Sequence, residues 1–314
     1  MSFLNDVKTE IINKPIKDRH CKLAFLAGVI RGAGTLYEKD GELGLDIRTG
    51  GEELAMFVTT QLSNLFNYQV REVSVSEDRL NKKDKFVISI VGERALEILE
   101  ELEVIIEKDE ELAVNLKFYD ALTSKECCLK SFIRGLFVAI GNGTIPEGDS
   151  GVNTGYHLEL VFSHYTPALE TSEKLAEHGV LTKITRRREN YIVYIKSAEE
   201  IKDFLAFLPA PVSVLKLMDL MITREISNNS NRQKNCDLGN LNKQVEASAK
   251  QVDAVNKIMQ TIGLETLKPD LYKVAVARKE NPEFTLLELA EELGVTKSCL
   301  NHRLRKLVYI ANEL

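Results

Sequence analysis

A chain of 314 residues with 44% apolar and 28% charged residues has the composition of a folded protein of two or three domains. No run of about 18 or more apolar residues occurs, which excludes a helical membrane span. The stretch from Met1 to Lys17 lacks the apolar core of a secretory signal, so a cytoplasmic location is expected. The net charge of −6 is uneven: residues 1–223 carry 27 Lys and Arg against 35 Asp and Glu, whereas residues 224–314 carry 14 against 12. A nucleic-acid partner is therefore sought in local basic patches and not in the total.

The five cysteines (Cys21, Cys127, Cys128, Cys236, Cys299) show no C-x-x-C spacing, and the histidines (His20, His157, His164, His178, His302) form no H-E-x-x-H or Cys/His zinc pattern. Their spacing predicts a reducing compartment, no disulfide framework, no metal site and no cofactor.

In chain order, the first element is an apolar helix over about 20–33. A Gly-rich turn and two strands follow (Gly34–Tyr37, Leu43–Arg48), then a helix (51–66), two strands (Gln69–Ser76, Lys85–Val91) and a helix (93–103). The same order recurs: helix 126–140, strands Gly143–Pro146 and Tyr156–Phe162, helix 166–178, strands Leu181–Arg187 and Tyr191–Lys196, helix 197–207. Cys21, Phe25 and Gly28 match Cys128, Phe132 and Gly135 at an offset of 107, and Gly34-Thr35-Leu36 matches Gly143-Thr144-Ile145 at 109. A period this long reads as a duplicated domain half, with two extra residues in the second copy. Two αββαββα halves, about 20–106 and 126–208, give an α+β fold with antiparallel sheets within a domain spanning 1–226.

Beyond Pro209 and Pro211, Val212–Ile226 reads as a helix, and the Asn-rich, non-periodic stretch 227–240 as a linker. The segments Leu241–Ile262, Asp270–Glu280, Leu286–Leu293 and Lys297–Ala311 make an all-helical domain over 241–314. Within it, residues 285–307 resemble a helix-turn-helix. Thr285 and Glu288 form a capping box, Gly294 sits where the turn requires positive φ, and Leu300, Leu304 and Leu307 give the second helix its buried stripe. The first helix is acidic (Glu288, Glu291, Glu292) and the second basic. The polar face of the second helix supplies candidate DNA contacts: Thr296, Lys297, Ser298, Asn301, His302, Arg303, Arg305 and Lys306. Asn301 and Arg305 suit base edges; Lys297, Arg303 and Lys306 suit phosphates. A charged αα-hairpin without DNA is the alternative.

Leu26-Ala-Gly-Val-Ile-Arg-Gly-Ala-Gly34 resembles the LAGLIDADG motif of homing endonucleases, and Ile133-Arg-Gly-Leu-Phe137 opens a divergent second copy. In that family the two motif helices pack at a pseudo-twofold axis, and the spacing of Gly28 with Gly32 and of Gly135 with Ala139 gives each helix a smooth face. The resemblance implies a metal-binding Asp before the last Gly of each copy. The matching residues are Ala33 and Asn142, and no Asp or Glu occurs from Cys21 to Tyr37 or from Cys127 to Pro146. The nearest acids along the chain are Glu38, Asp40, Glu147 and Asp149. The expectation is a fold that binds and does not cut. Its sheets offer Arg48, Arg71 and Lys183, with the run Arg186, Arg187 and Arg188 as secondary nucleic-acid contacts or a solvated hairpin tip; a protein partner is an alternative occupant of this surface.

Both motifs in this order, together with Asn235–Lys243 and Asn301–Leu307, resemble the WhiA family along essentially the full length. The resemblance implies a nucleoid-associated DNA-binding regulator of transcription, cell division, chromosome segregation and sporulation, without endonuclease activity.

Overall fold

Each copy of the repeat folds as helix, β-hairpin, helix, β-hairpin, helix, in a computed structural model that describes residues 3–70, 72–78, 83–108, 111–117, 121–146 and 155–314. The chain forms two compact units, residues 1–224 and 225–314. After α1 (Phe3–Asn13), which precedes the repeat, the first copy runs from α2 (Arg19–Ala33) into β1 (Gly34–Lys39) and β2 (Glu42–Thr49). Next come α3 (Glu52–Phe66), β3 (Glu72–Asp78), β4 (Lys83–Val91) and α4 (Glu93–Glu101). After a short hairpin, β5 (Ile105–Lys108) with β6 (Glu111–Val114), the second copy runs α5 (Glu126–Ile140), β7 (Gly141–Thr144), β8 (His157–Phe162), α6 (Tyr165–Glu177), β9 (Lys183–Arg187), β10 (Asn190–Ile195) and α7 (Ala198–Phe207). The sheets are antiparallel and ordered alike, β1-β2-β4-β3 and β7-β8-β10-β9. Side chains alternate: Leu45 and Ile47 enter the core, as do Leu158 and Leu160, while Asp46 and Glu159 lie on the opposite face.

The two motif helices form the centre of this unit. Every residue from Leu23 to Ile30 and from Ser131 to Val138 is buried. A Cβ added to Gly28 would stand 2.1 Å from the carbonyl oxygen of Phe132, and one added to Gly135 would stand 2.1 Å from that of Phe25. These reciprocal approaches put backbone on backbone, which only glycine permits. The expected smooth faces are therefore present, and Gly32 packs against Ala139 as well.

The structure departs from expectation at three places. Residues Phe3–Asn13 form α1, which buries Phe3, Val7 and Ile11 at helical spacing. Arg134 of α5 donates to the carbonyls of Ile11 and Lys14, supplying partners that the end of a helix lacks. The hairpin of β5 and β6 fills the interval between the copies. Finally, residues 227–240 are helical: α8 runs from Pro211 to Thr261 without interruption. Helix propagation adds a hydrogen bond per residue at a cost below about 0.7 kcal/mol even for Asn, so two nucleated flanks carry a polar stretch between them. Glu10 accepts from the backbone N–H of Val212 (2.9 Å) and Ser213 (2.8 Å), capping the start of α8.

The second unit contains residues 225–261 of α8, then α9 (Pro269–Glu280), α10 (Leu286–Glu292) and α11 (Lys297–Glu313), around a core of Val255, Ile258, Val274, Leu289, Leu300, Leu304 and Leu307.

Replacing Gly28 by Ala should destabilise the first unit by about 3 kcal/mol, since the new methyl meets a carbonyl that cannot move without parting the helices. Gly50→Ala, where an added Cβ meets nothing within 4 Å, is the control. Coincident urea midpoints for the two variants would contradict this packing.

Candidate nucleic-acid interface

Each motif helix stops at a glycine in extended conformation. Gly34 donates its N–H to the carbonyl of Ile30, and Gly141 donates to that of Phe137. These glycines stand 107 residues apart, as Gly28 and Gly135 do, so the two-residue insertion expected from sequence is not there. The residue matching Ala33 is therefore Ile140, and Asn142 matches Thr35 one step into the strand. Neither Ala33 nor Ile140 offers a metal-ligating oxygen.

Cross-strand pairing does bring two acids close to the helix ends. Asp46 of β2 pairs with Thr35, and Glu159 of β8 pairs with Asn142. Sequence reading overlooked both because it searched along the chain, whereas register places them. Asp46 accepts a hydrogen bond from Ser89 Oγ at 2.8 Å. Glu159 is buried, at 2.9 Å from His157 Nε2 and 3.1 Å from the guanidinium of Arg187. Burial alone would raise the Glu159 pKa, but His157 and Arg187 together outweigh it and hold the carboxyl below its ordinary range.

The Arg186–Arg188 run is accordingly not a uniform tip. Arg187 neutralises Glu159, Arg186 lies 5.8 Å over the Tyr191 ring, and Arg188 occupies the turn with φ of 56°. Arg48 and Lys183 are exposed on their strands. Arg71, Glu147 and Asp149 lie outside the described residues.

The helix-turn-helix forms as its sequence predicts. Thr285 Oγ1 accepts from the Glu288 N–H at 3.2 Å and the Glu288 carboxylate accepts from the Thr285 N–H at 2.7 Å, completing the capping box. Gly294 has φ of 64°, and the Val295 N–H closes the turn on the carbonyl of Ala290 at 2.9 Å. Leu300, Leu304 and Leu307 are buried. That leaves Lys297, Ser298, His302, Arg305 and Lys306 exposed on α11, with Asn301 half-buried beside them. Two predicted contacts also have structural duties. Thr296 caps α11 by accepting from the Cys299 N–H, and Arg303 reaches Asp270 of α9 at 3.2 Å.

Sequence reading also missed Arg278. Its guanidinium is buried among apolar side chains and donates to the carbonyls of Phe284 (2.8 Å) and Asn281 (3.3 Å) and to Ser248 Oγ (3.4 Å). It fixes the loop that leads into the capping box. A buried cation on an otherwise apolar helix face was the available signal, since burial at that position demands partners. Lys243 of α8 and Lys297 of α11 line one groove beside Thr285 and Leu287, so the basic surface extends past the predicted helix.

Three family models match the chain in succession: the WhiA N-terminal LAGLIDADG-like domain at residues 19–105, the WhiA LAGLIDADG-like domain at 129–227, and the WhiA C-terminal HTH domain at 230–311. The chain is 36% identical over 319 residues to the probable cell division protein WhiA of Bacillus pumilus (strain SAFR-032), covering 100% of this chain and 97% of the relative. It is 35% identical over 318 residues to that of Bacillus subtilis (strain 168), with the same coverage. Among solved structures, full-length DUF199/WhiA from Thermatoga maritima superposes with a TM-score of 0.59 at 22% identity, covering 100% of this chain and 99% of the other, a likeness of fold.

The lowered Glu159 pKa means that its stabilisation is fully present above the ordinary carboxylate value of 4.5 and is lost as pH falls through the lower folded value. Glu159→Gln should therefore melt below wild type at neutral pH, with the gap closing on acidification through that window. A gap that stays constant would contradict the assignment. Arg278→Leu removes the shared donor of two carbonyls and should cost the second unit about 3 kcal/mol, read as lost amide hydrogen-exchange protection in α10 and α11; unchanged protection there would contradict it.

Proposed function

The chain belongs to the WhiA family, and from that footing we propose that it is a non-enzymatic, sequence-specific binder of double-stranded DNA acting in the regulation of transcription. The observation that carries this reading is the outer face of α11. An acidic helix precedes it, its own acidic residue lies at the far end (Glu313), and its residues 297–306 present Lys297, Ser298, Asn301, His302, Arg305 and Lys306 outward. A helix docked in the major groove reads bases through side chains that can make paired hydrogen bonds. Asn301 suits adenine and Arg305 guanine, while Lys297, Lys306 and Lys243 suit phosphates. Arg303, tied to Asp270, is better placed to hold α11 on α9 than to read DNA.

Ala33 and Ile140 at the helix ends support the absence of strand cleavage. Hard cations at scissile phosphates need oxygen ligands there, and the Glu159 carboxylate is already held by His157 and Arg187. The repeat unit then serves as a platform, with secondary contact to DNA through Arg188 and Lys183 or with a protein partner on the same sheets. The relatives' name places them in cell division, and we extend that role, with chromosome segregation and sporulation, to this chain. Such a protein acts in the cytoplasm at the nucleoid.

Asn301→Ala and Arg305→Ala should each weaken binding to a selected cognate site by about 1–3 kcal/mol, with little change in affinity for unrelated DNA. Arg303→Ala should lower the melting temperature without relaxing sequence preference. Gel-shift titrations against cognate and scrambled duplexes measure both. Unchanged cognate affinity in the Asn301 and Arg305 variants would refute the reading, and metal-dependent nicking of plasmid would favour a nuclease.

A further inference from the structure

The N-terminal ends of the two motif helices carry a chemistry that DNA binding does not use. His20 and Cys21 open α2, and Cys127 and Cys128 open α5. The pseudo-twofold relation of the helices makes His20 the counterpart of Cys127 and Cys21 that of Cys128, each pair 107 residues apart. The imidazole and the three sulfurs all lie within 4.8 Å of one another. His20 Nδ1 is 3.1 Å from Cys128 Sγ and 3.3 Å from Cys21 Sγ. A tetrahedral zinc ion with Zn–S near 2.3 Å and Zn–N near 2.0 Å requires S···S edges of about 3.8 Å and S···N edges of about 3.6 Å. A bound ion would draw the gathered atoms onto those edges.

We propose that His20, Cys21, Cys127 and Cys128 form a closed structural site for a soft divalent metal of the zinc class, which pins the two halves together at one end of the motif-helix pair. Three sulfurs and one imidazole nitrogen are the donor number and type of a structural zinc centre, with no position left for water. Softness of the thiolates excludes magnesium and calcium. Binding displaces three thiol protons and uses the neutral imidazole, leaving the site with one net negative charge. The N-termini of α2 and α5 both face it, and neither helix has a side-chain N-cap, so their free N–H groups and dipoles favour that charge. The adjoining pocket is lined by Lys17, Lys130 and Arg134, with Asp18 as its carboxylate.

A disulfide accounts for less. It would consume two sulfurs and leave a third thiol and the imidazole with no role. A metal instead takes all three thiolates and the imidazole, so every member of the cluster has a role.

The spacing rules for zinc motifs did not find this site because they look for two ligands a turn apart in one segment. Here each half supplies two adjacent residues, and the duplication closes the set.

The test uses the full chain purified under reducing conditions without chelator. Elemental analysis should find zinc at one equivalent per chain. The metal-stripped protein titrated with Co(II) should show thiolate charge-transfer bands in the near ultraviolet and the intense visible bands of tetrahedral cobalt. Cys128→Ser should lose both signals. Cys127 is exposed, so Cys127→Ser keeps the fold and should likewise fail to retain metal, while Cys299→Ser should match wild type. Stripping the metal should lower the melting temperature of the wild type and leave that of Cys127→Ser unchanged. A weak six-coordinate cobalt spectrum in the wild type, equal metal content in Cys127→Ser, or a Cys21–Cys128 disulfide formed in place of metal binding would each overturn the proposal.

Discussion

Two carbonyl oxygens set the architecture of the repeat unit. Phe132 O faces Gly28 and Phe25 O faces Gly135, each so near that any Cβ would collide. Because neither contact involves a flexible side chain, the separation of the helices is fixed by backbone geometry and the pair behaves as one rigid post. Each sheet then hangs from its own helix through a glycine hinge, Gly34 or Gly141, which turns the chain directly from helix into strand. The equal spacing of 107 residues at both contact and hinge is what makes the two halves superimposable, and it places matching residues at matching depths.

Buried charge is the second organising feature. Arg134 sits beneath α1 with two carbonyls as partners and the Phe25 ring at 5.6 Å, and burial lowers its pKa to about 10. Arg278 plays the matching part in the second unit, where three oxygens surround it. In both cases a cation ties together carbonyls at a helix end and in the following loop, and each would be costly if its acceptors were absent. Glu159 shows the same logic with the sign reversed, a carboxylate taken from solvent and answered by His157 and Arg187. Charges that a reading of the chain would assign to ligands are thus partly consumed by the fold, and those left over on α11 are the ones a ligand can meet.

Much of this was legible before any coordinates. Segments rich in Val, Ile, Tyr and Thr between turn residues located the strands, and the Gly28/Gly32 and Gly135/Ala139 spacings foretold a close helix crossing. The capping box at Thr285 and the positive φ at Gly294 were written in local chemistry. What stayed hidden depends on distance in sequence. Asp46 and Glu159 reach the helix ends only through strand register. Arg303 looks like a free cation until Asp270 of another helix meets it. The match of Gly34 to Gly143 misled because Gly-Thr recurs at both places, whereas the helix ends align Gly34 with Gly141. The Asn-rich stretch 227–240 has weak helix propensity of its own, and its state follows from the helices on either side. The gathering of His20, Cys21, Cys127 and Cys128 was hidden because each copy supplies only two adjacent members.

Motif helices that end in Ala33 and Ile140, and a helical unit with a basic outer face, are the grounds on which DNA recognition by α11 is proposed. The most direct measurement is an experimental structure of the full chain bound to a duplex selected from random sequences. It should show α11 in the major groove, with Asn301 and Arg305 against base edges. A duplex gripped across the repeat sheets near Glu159, with α11 facing solvent, would contradict it.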